Sequence, residues 1–406
     1  MKALLLTREY PPHVYGGAGV HVEYLTRELK RLVDVEVRCF GDQDEKEKHL
    51  RVRGHAPAPE FLAEAPDKLR SALSTLTHCL SFTAEPAGAD VVHCHTWYSH
   101  FAGVLHRLLY GTPLVISIHS LEPLRPWKRE QLGRGYELSC WVERTALEMA
   151  DAIIAVSKET RQDVLSHFRV DPERITIIPN GIDPDEYSYD AGTQHLEHYG
   201  IPTDRPYVLF VGRITRQKGI VHLLRAIEGF DPGTAVVLCA GAPDTREIAE
   251  EMETRVARLK EQREHLYWIE EMVPREAAIQ LYSQAALFCC PSVYEPFGII
   301  NLEAMACGTP VVASAVGGIK EVVLHEETGL LVPIETRDDG TSEPKDPDAF
   351  AGDLAAAVNR LMADPDLREK MALAGRKRVE DHYAWSAVAA RVAQLYQGVA
   401  SAGPID

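Results

Sequence analysis

The sequence predicts an α/β protein built as two doubly wound parallel sheets. Three observations predict it. Short apolar runs alternate with segments whose apolar residues recur at helical spacing, the pattern of parallel strands joined by right-handed crossovers. The alternation fades once, over a stretch rich in Asp, Tyr, Gly and Pro, and then restarts. The chain, at 406 residues, is also too long for a single core.

Taken in order, Lys2–Thr7 reads as the first strand, because its apolar run is too short for a signal peptide and ends in charge. Gly19–Leu32 is amphipathic through Val20, Tyr24, Leu25 and Leu29, and Val33–Phe40 is strand-like. From Gly41 to Glu64 charges crowd in (D-Q-D-E-K-E-K-H), which predicts a surface excursion. Strands are expected at Ala89–His95, Leu114–His119, Ala152–Ser157 and Ile175–Pro179. Asp183 to Pro206 reads as a domain linker. Strands resume at Tyr207–Ile214, Ala235–Ala240, Leu266–Ile269, Leu287–Cys290, Val311–Ala315 and Gly329–Val332. A polar loop from Glu335 to Asp346 precedes helical segments to the C-terminus. The expected domains are residues 1–185 and 186–383, with ligands at the carboxyl ends of the strands in a cleft.

Bulk properties exclude several classes. Hydrophobic residues make up 45% and charged residues 25%, an ordinary globular balance. The formal net charge of −17 opposes binding to nucleic-acid phosphates. No run reaches the roughly 18 apolar residues that a membrane span requires. The cysteines at 39, 79, 94, 140, 239, 289, 290 and 307 lie mostly inside apolar runs. That is the pattern of buried free thiols in a reducing cytoplasm rather than of a disulfide framework.

The most informative stretch runs from Pro291 to Gly318. After the strand comes P-S-V-Y-E-P-F-G, then a helical face of Ile299, Leu302, Met305 and Ala306 that Cys307-Gly308 ends. Glu295 falls on the loop and Glu303 inside the helix, whose free amides at Gly298 to Ile300 suit a phosphate. Two acids so placed would grip the two ends of a nucleotide-sugar, although acids near a helix start are also favourable without any ligand. Upstream, the strand Tyr207–Val211 runs into G-R-I-T-R-Q-K-G, setting Arg213 and Lys218 at its carboxyl edge. Two such cations neutralise a diphosphate leaving group, the guanidinium by bidentate hydrogen bonds and the ammonium as a point charge.

In the first half, E-Y-P-P-H-V-Y-G-G-A-G-V-H runs from Glu9 through Tyr15 to Gly16, Gly17 and Gly19, opening a helix with small residues. It is not the G-x-G-x-x-G dinucleotide pattern. His93 and His95 share one strand face with Cys94 opposite; zinc would need further ligands, and the spacing offers none. His95 is therefore read as lining the cleft and His93 as structural. Four bases follow His119, namely Arg125, Lys128, Arg129 and Arg134, arranged either to hold an acceptor phosphate or as a solvated face.

Taken together, G-G-A-G, H-T-W, H-S, V-S-K, N-G-I-D, G-R-I-T-R-Q-K-G and the E-x7-E of Glu295 and Glu303 resemble, in family order, retaining glycosyltransferase family 4. The longer stretches S-L-E-P-L-R-P-W-K-R-E-Q-L-G-R-G-Y and L-C-A-G-A-P-D-T are similar to the ADP-glucose-dependent glycogen synthase and maltose-1-phosphate synthase group. Longer bacterial glycogen synthases carry K-x-G-G-L where this chain has Val14-Tyr15-Gly16-Gly17, which points to the shorter, actinobacterial-type branch.

The resemblance implies the GT-B arrangement, two Rossmann-like domains with the last helix, from about residue 384 to 406, crossing back to the first. It implies that Glu295 contacts the donor sugar, Glu303 the ribose, and His119 the region of the anomeric carbon. Arg213, Lys218, Gly16, Gly17, Val273, Phe297, Gly298, Ile299 and Ile300 complete the implied donor site; Glu9, Tyr15, His95, Arg125 and Lys128 fall on the acceptor side. Asn180 is expected to brace the hinge.

The expected reaction moves glucose from ADP-glucose to an α-glucan or to glucose-1-phosphate, retaining the α-configuration and forming an α-1,4 bond, with no metal or cofactor. The expected partners are the nucleotide-sugar and the glucan or sugar-phosphate, with no nucleic acid and no membrane; the sequence leaves a homodimer open. A nucleotide-sugar epimerase would lack the pairing of G-R-x-x-x-x-K with E-x7-E. A catalytically silent glucan-binding protein would have no need of Arg213, Lys218, Glu295 and His119 together.

Overall fold

A computed structural model describes residues 1–14, 16–337 and 339–404. The chain divides into two compact units, Met1–Gly181 with Trp385–Asp406, and Ile182–Ala384.

In the N-terminal unit, β1 (Lys2–Leu6), β2 (Asp34–Phe40), β3 (Asp44–Glu47), β4 (Leu50–His55), β5 (Val91–His95), β6 (Leu114–Ile118), β7 (Ala152–Ala155) and β8 (Ile175–Ile177) form one sheet. Its order is β3-β4-β2-β1-β5-β6-β7-β8, parallel throughout except that β3 runs antiparallel to β4. The central strands are buried on both faces and read as unbroken apolar runs for that reason. The expected surface excursion after Gly41 contains β3 and β4. Leu50 and Val52 turn inward from β4, while all four residues of β3 are exposed at the sheet edge. The charges at this edge concealed the strands.

The last helix, Trp385–Ala402, belongs to this unit. Trp385 stacks on Tyr24 of helix Gly17–Leu29 with ring centroids 5.9 Å apart and planes 6° from parallel. Tyr396 is fully buried and bonds His93 Nδ1 at 2.6 Å, and His93 Nε2 meets Ser117 Oγ at 2.8 Å. His93 is structural, as its strand position predicts.

In the C-terminal unit, β9 (Tyr207–Arg213), β10 (Ala235–Gly241), β11 (Leu266–Ile269), β12 (Leu287–Cys290), β13 (Val311–Ser314) and β14 (Gly329–Val332) form an all-parallel sheet ordered β11-β10-β9-β12-β13-β14. A continuous core beneath it joins Phe210, Leu238, Leu287, Val312 and Leu330 to helix residues Leu223, Met252, Leu354 and Met371. The stretch read as a linker is integrated here. It forms helix Gln194–His198, and Gln280 and Ser283 tie down its flanks through Asp190 and His195.

In each sheet the strand order reverses once, between β1 and β5 and between β9 and β12. Ligands of doubly wound sheets bind at the carboxyl ends of the strands flanking such a reversal. All eight cysteines are free, and all but Cys140 are buried. Among the described residues, no helix is long and apolar enough to cross a membrane.

Candidate active site

The C-terminal unit's reversal point gathers the residues of both second-half motifs. β9 delivers Arg213 and the turn to Lys218, and β12 delivers the loop through Glu295. Two glycines allow these loops to lie against their neighbours. Gly219, at φ 64°, would place a Cβ 2.0 Å from the Pro291 carbonyl oxygen, and Gly317, at φ 50°, one 1.8 Å from that of Glu295. The amide of Val293 bonds the Gln217 carbonyl at 3.0 Å, and that of Gly318 bonds the Glu295 carbonyl at 3.0 Å. No side chain without these glycines' freedom fits there.

Lys218 Nζ donates to Glu295 Oε2 at 2.6 Å. Burial alone would lower the ammonium pKa, but the Glu295 carboxylate outweighs it and holds the group above its ordinary value. Arg213 pairs with Asp244, on the loop after β10. The two cations expected to act on a diphosphate therefore each have a carboxylate partner. Asp244 stands in the A-P-D-T stretch, and only the adjacency of β9 and β10 shows what it does.

Glu303 lies in helix Ile299–Ala306, which starts at Gly298 with no side-chain cap. The hydroxyls of Tyr187 and Tyr282 donate to its two oxygens at 3.3 and 3.1 Å. Burial pushes its carboxyl above the usual range, with the two phenols and nearby Arg275 pulling the other way. Phe297 is buried against Tyr383, Ile299 and Ile300 are half-buried at the helix start, and Val273 is half-buried after β11. The structure thus brings Arg213, Lys218, Glu295 and Gly298 to one reversal point.

The N-terminal unit builds a different environment at its own reversal point. Helix Gly17–Leu29 starts at Gly16, whose amide donates to Glu9 Oε2 at 2.9 Å. Glu9 thus sits at the helix start that the glycine turn was expected to offer a phosphate, and a Cβ on Gly19 would lie 2.7 Å from the same carboxylate. Tyr15, expected on the acceptor side, lies outside the described residues. His95 ends β5 and is followed by Thr96, a β-branched residue at φ 67°. That conformation costs on the order of 1–3 kcal/mol and is found preferentially at functional sites. Ser99 fixes the turn, its hydroxyl accepting from the His95 amide at 3.1 Å and donating to the His95 carbonyl at 3.0 Å.

His95 Nδ1 lies 3.0 Å from His119 Nε2, so one of the two imidazoles donates to the other. His21, which the sequence reading did not single out, packs edge-on to His119 at 4.6 Å and bonds Asn180 Oδ1 through Nδ1 at 2.6 Å. Asn180 is thereby shown as the partner of a buried imidazole. Burial draws His21 down to about 4 despite that bond, and holds His95 and His119 well below the ordinary histidine value, helped by the neighbouring rings. The three rings are neutral at pH 7.

Three of the four bases in the loop after His119 are charge-compensated. Lys128 Nζ donates to the buried Glu122 at 2.9 Å, Arg125 approaches the same carboxylate at 3.8 Å and donates to Ser120 Oγ at 3.1 Å, and Arg129 pairs with Glu137 at 2.6 Å.

The Glycosyltransferase Family 4 model matches residues 15–186, and the Glycosyl transferases group 1 model matches residues 193–378. The chain is 46% identical over 409 residues to the alpha-maltose-1-phosphate synthase of Mycolicibacterium smegmatis, covering 99% of this chain and 100% of that protein. It is 29% identical to a glycogen synthase of Mycobacterium tuberculosis over 98% of this chain and 94% of that one. Among solved structures, the sucrose-phosphate synthase of Thermosynechococcus elongatus superposes with a TM-score of 0.80 at 27% identity, covering 99% of this chain and 100% of that one. With both family models matched in order and the full length aligned to a relative well above 30% identity, the chain belongs to glycosyltransferase family 4 and has the GT-B fold.

Proposed function

We propose that this hexosyltransferase moves glucose from ADP-glucose to the 4-hydroxyl of glucose-1-phosphate, with retention, to give α-maltose-1-phosphate. The observation that carries the reading is the 46% identity to an alpha-maltose-1-phosphate synthase along the whole chain. A glucan acceptor is the second reading, favoured by the full-length likeness to a glycogen synthase.

In the proposed reaction the bond between glucose C1 and the diphosphate oxygen breaks, and a bond from C1 to the acceptor O4 forms on the same face. The acceptor proton passes to the departing diphosphate oxygen. Arg213 and Lys218 exchange their carboxylate partners for the diphosphate and neutralise the charge that develops on it. Those two cations do this without calling on a metal. Glu295, released from Lys218, orients the glucose and stabilises positive charge at C1 without becoming a covalent nucleophile. Glu303, held by Tyr187 and Tyr282, takes the ribose, and the helix start at Gly298 adds backbone donors. His119, held neutral, adds no competing positive charge to an oxocarbenium-like centre.

The test crosses ADP-glucose and UDP-glucose with glucose-1-phosphate and glycogen, following nucleotide release and product. Fast turnover of ADP-glucose with glucose-1-phosphate is expected. Turnover with glycogen alone would replace this reading by chain elongation, and nucleotide release with neither acceptor would refute both.

A further inference from the structure

The three histidines at the N-terminal reversal point come from three separate elements. His21 lies on the first helix, His95 at the end of β5 and His119 just after β6. Each offers a ring nitrogen, and the three nitrogens lie within 4.8 Å of one another. The ring centroids are 5.4, 4.6 and 5.3 Å apart. His21 Nε2 is buried without a hydrogen-bond partner among the described residues, a costly state for a polar atom, and His95 faces His119 through Nδ1. His21 is held through its other nitrogen by Asn180, the outer partner that metal-bound imidazoles characteristically have. His119 is half-buried and gives the cluster its opening.

We propose that His21, His95 and His119 form a binding site for a divalent transition-metal ion of the Zn2+ class. Bonds of about 2.0–2.1 Å at a tetrahedral centre set the nitrogens about 3.3 Å apart. His95 and His119, at 3.0 Å, already meet that edge. His21 closes the remaining gap by turning its ring, and the fourth position stays open to water. Neutral imidazoles are the ligand form, and borderline nitrogen donors favour Zn2+ and Co2+ over Mg2+ or Ca2+. The site rests on the N-terminal unit alone. Its consequence rests on the reaction proposed above: the ion is not required for transfer, and by occupying His119 it inhibits.

Co2+ added to the chelator-treated full-length chain tests the site, with tetrahedral visible absorption and competing Zn2+ as readouts. One saturable equivalent is expected. His21→Asn keeps an amide at the Nδ1 position for Asn180 but removes Nε2, and it is expected to weaken binding more than 100-fold; Asn180→Ala, removing only the outer partner, should weaken it about 10–100-fold. His95→Ala, which removes the Nδ1 that faces His119, is the second variant and should match His21→Asn, while the exposed His13→Ala should bind as wild type. No saturable uptake, or undiminished affinity in folded His21→Asn and His95→Ala proteins, would overturn the site. Full turnover of ADP-glucose at saturating Zn2+ would overturn the inhibition, leaving the Co2+ result to decide the site independently of the donor and acceptor.

Discussion

The two units place their candidate site residues at the same topological point and equip it with opposite chemistry. At the β9/β12 reversal, full charges stand in pairs, Lys218 with Glu295 and Arg213 with Asp244. At the β1/β5 reversal, three uncharged imidazoles lie together, two buried and His119 half-buried. A doubly wound sheet fixes where a ligand goes, and the side chains at the strand ends fix what is done with it. Paired charges suit a diphosphate that arrives and leaves with its own charge. Uncharged imidazoles add no charge that would oppose positive charge developing on a sugar carbon.

Breaking one charge pair should give the largest effect. Lys218→Ala should lower turnover by roughly 10²–10³-fold, as losing a charge-stabilising donor does elsewhere, with a much smaller change in unfolding free energy. Steady-state kinetics beside a urea melt checks both; unchanged turnover in folded protein would remove the lysine from the mechanism.

Acid should separate the two units next. Eight histidines held below their ordinary value, His21, His55, His78, His93, His95, His100, His106 and His119, all lie in the N-terminal unit. Unfolding lets these rings take up protons that the folded unit refuses, so stability is full above pH 6.5 and falls as the pH drops towards about 4. His21 alone, with its ordinary value of 6.5 drawn to about 4, accounts for about 3 kcal/mol over that window. Hydrogen exchange at pH 7 and pH 5 should show N-terminal peptides losing protection first; equal loss in both units would sink the contrast.

Smaller changes sharpen the C-terminal half. Tyr282→Phe leaves Glu303 one hydrogen bond short, and should raise KM for the nucleotide-sugar several-fold and cost about 1 kcal/mol of stability. Asp244→Asn frees Arg213 from a competing carboxylate, and should tighten ADP binding two- to five-fold, the scale of a partly exposed ion pair of about 0.5–1 kcal/mol. Isothermal titration measures it, and weaker binding would show instead that Asp244 orients the guanidinium.

Much of this was legible in the sequence because strand ends and glycine turns are local features. The runs before Arg213, Glu295 and His119 announced strands, and the helix spacing after Gly298 set Glu303 inside a helix. Contacts set by sheet order were not legible. Lys218 and Glu295 are 77 residues apart, and His21 reaches His95 and His119 only because β1 lies beside β5 and β5 beside β6. The basic loop after His119 misled for a related reason, since its partner Glu122 stands among the same residues, buried where composition alone suggests a solvated charge. β3 and β4 hid behind charges placed on an exposed edge.

The division of labour between the units is tested most directly by titrating ADP into wild type, Lys218→Ala and His119→Ala. The account predicts that Lys218→Ala weakens ADP by roughly tenfold or more, consistent with losing a charge-assisted hydrogen bond of about 1.5–3 kcal/mol, while His119→Ala stays within about threefold of wild type. Equal losses in the two variants, or a loss confined to His119→Ala, would contradict it.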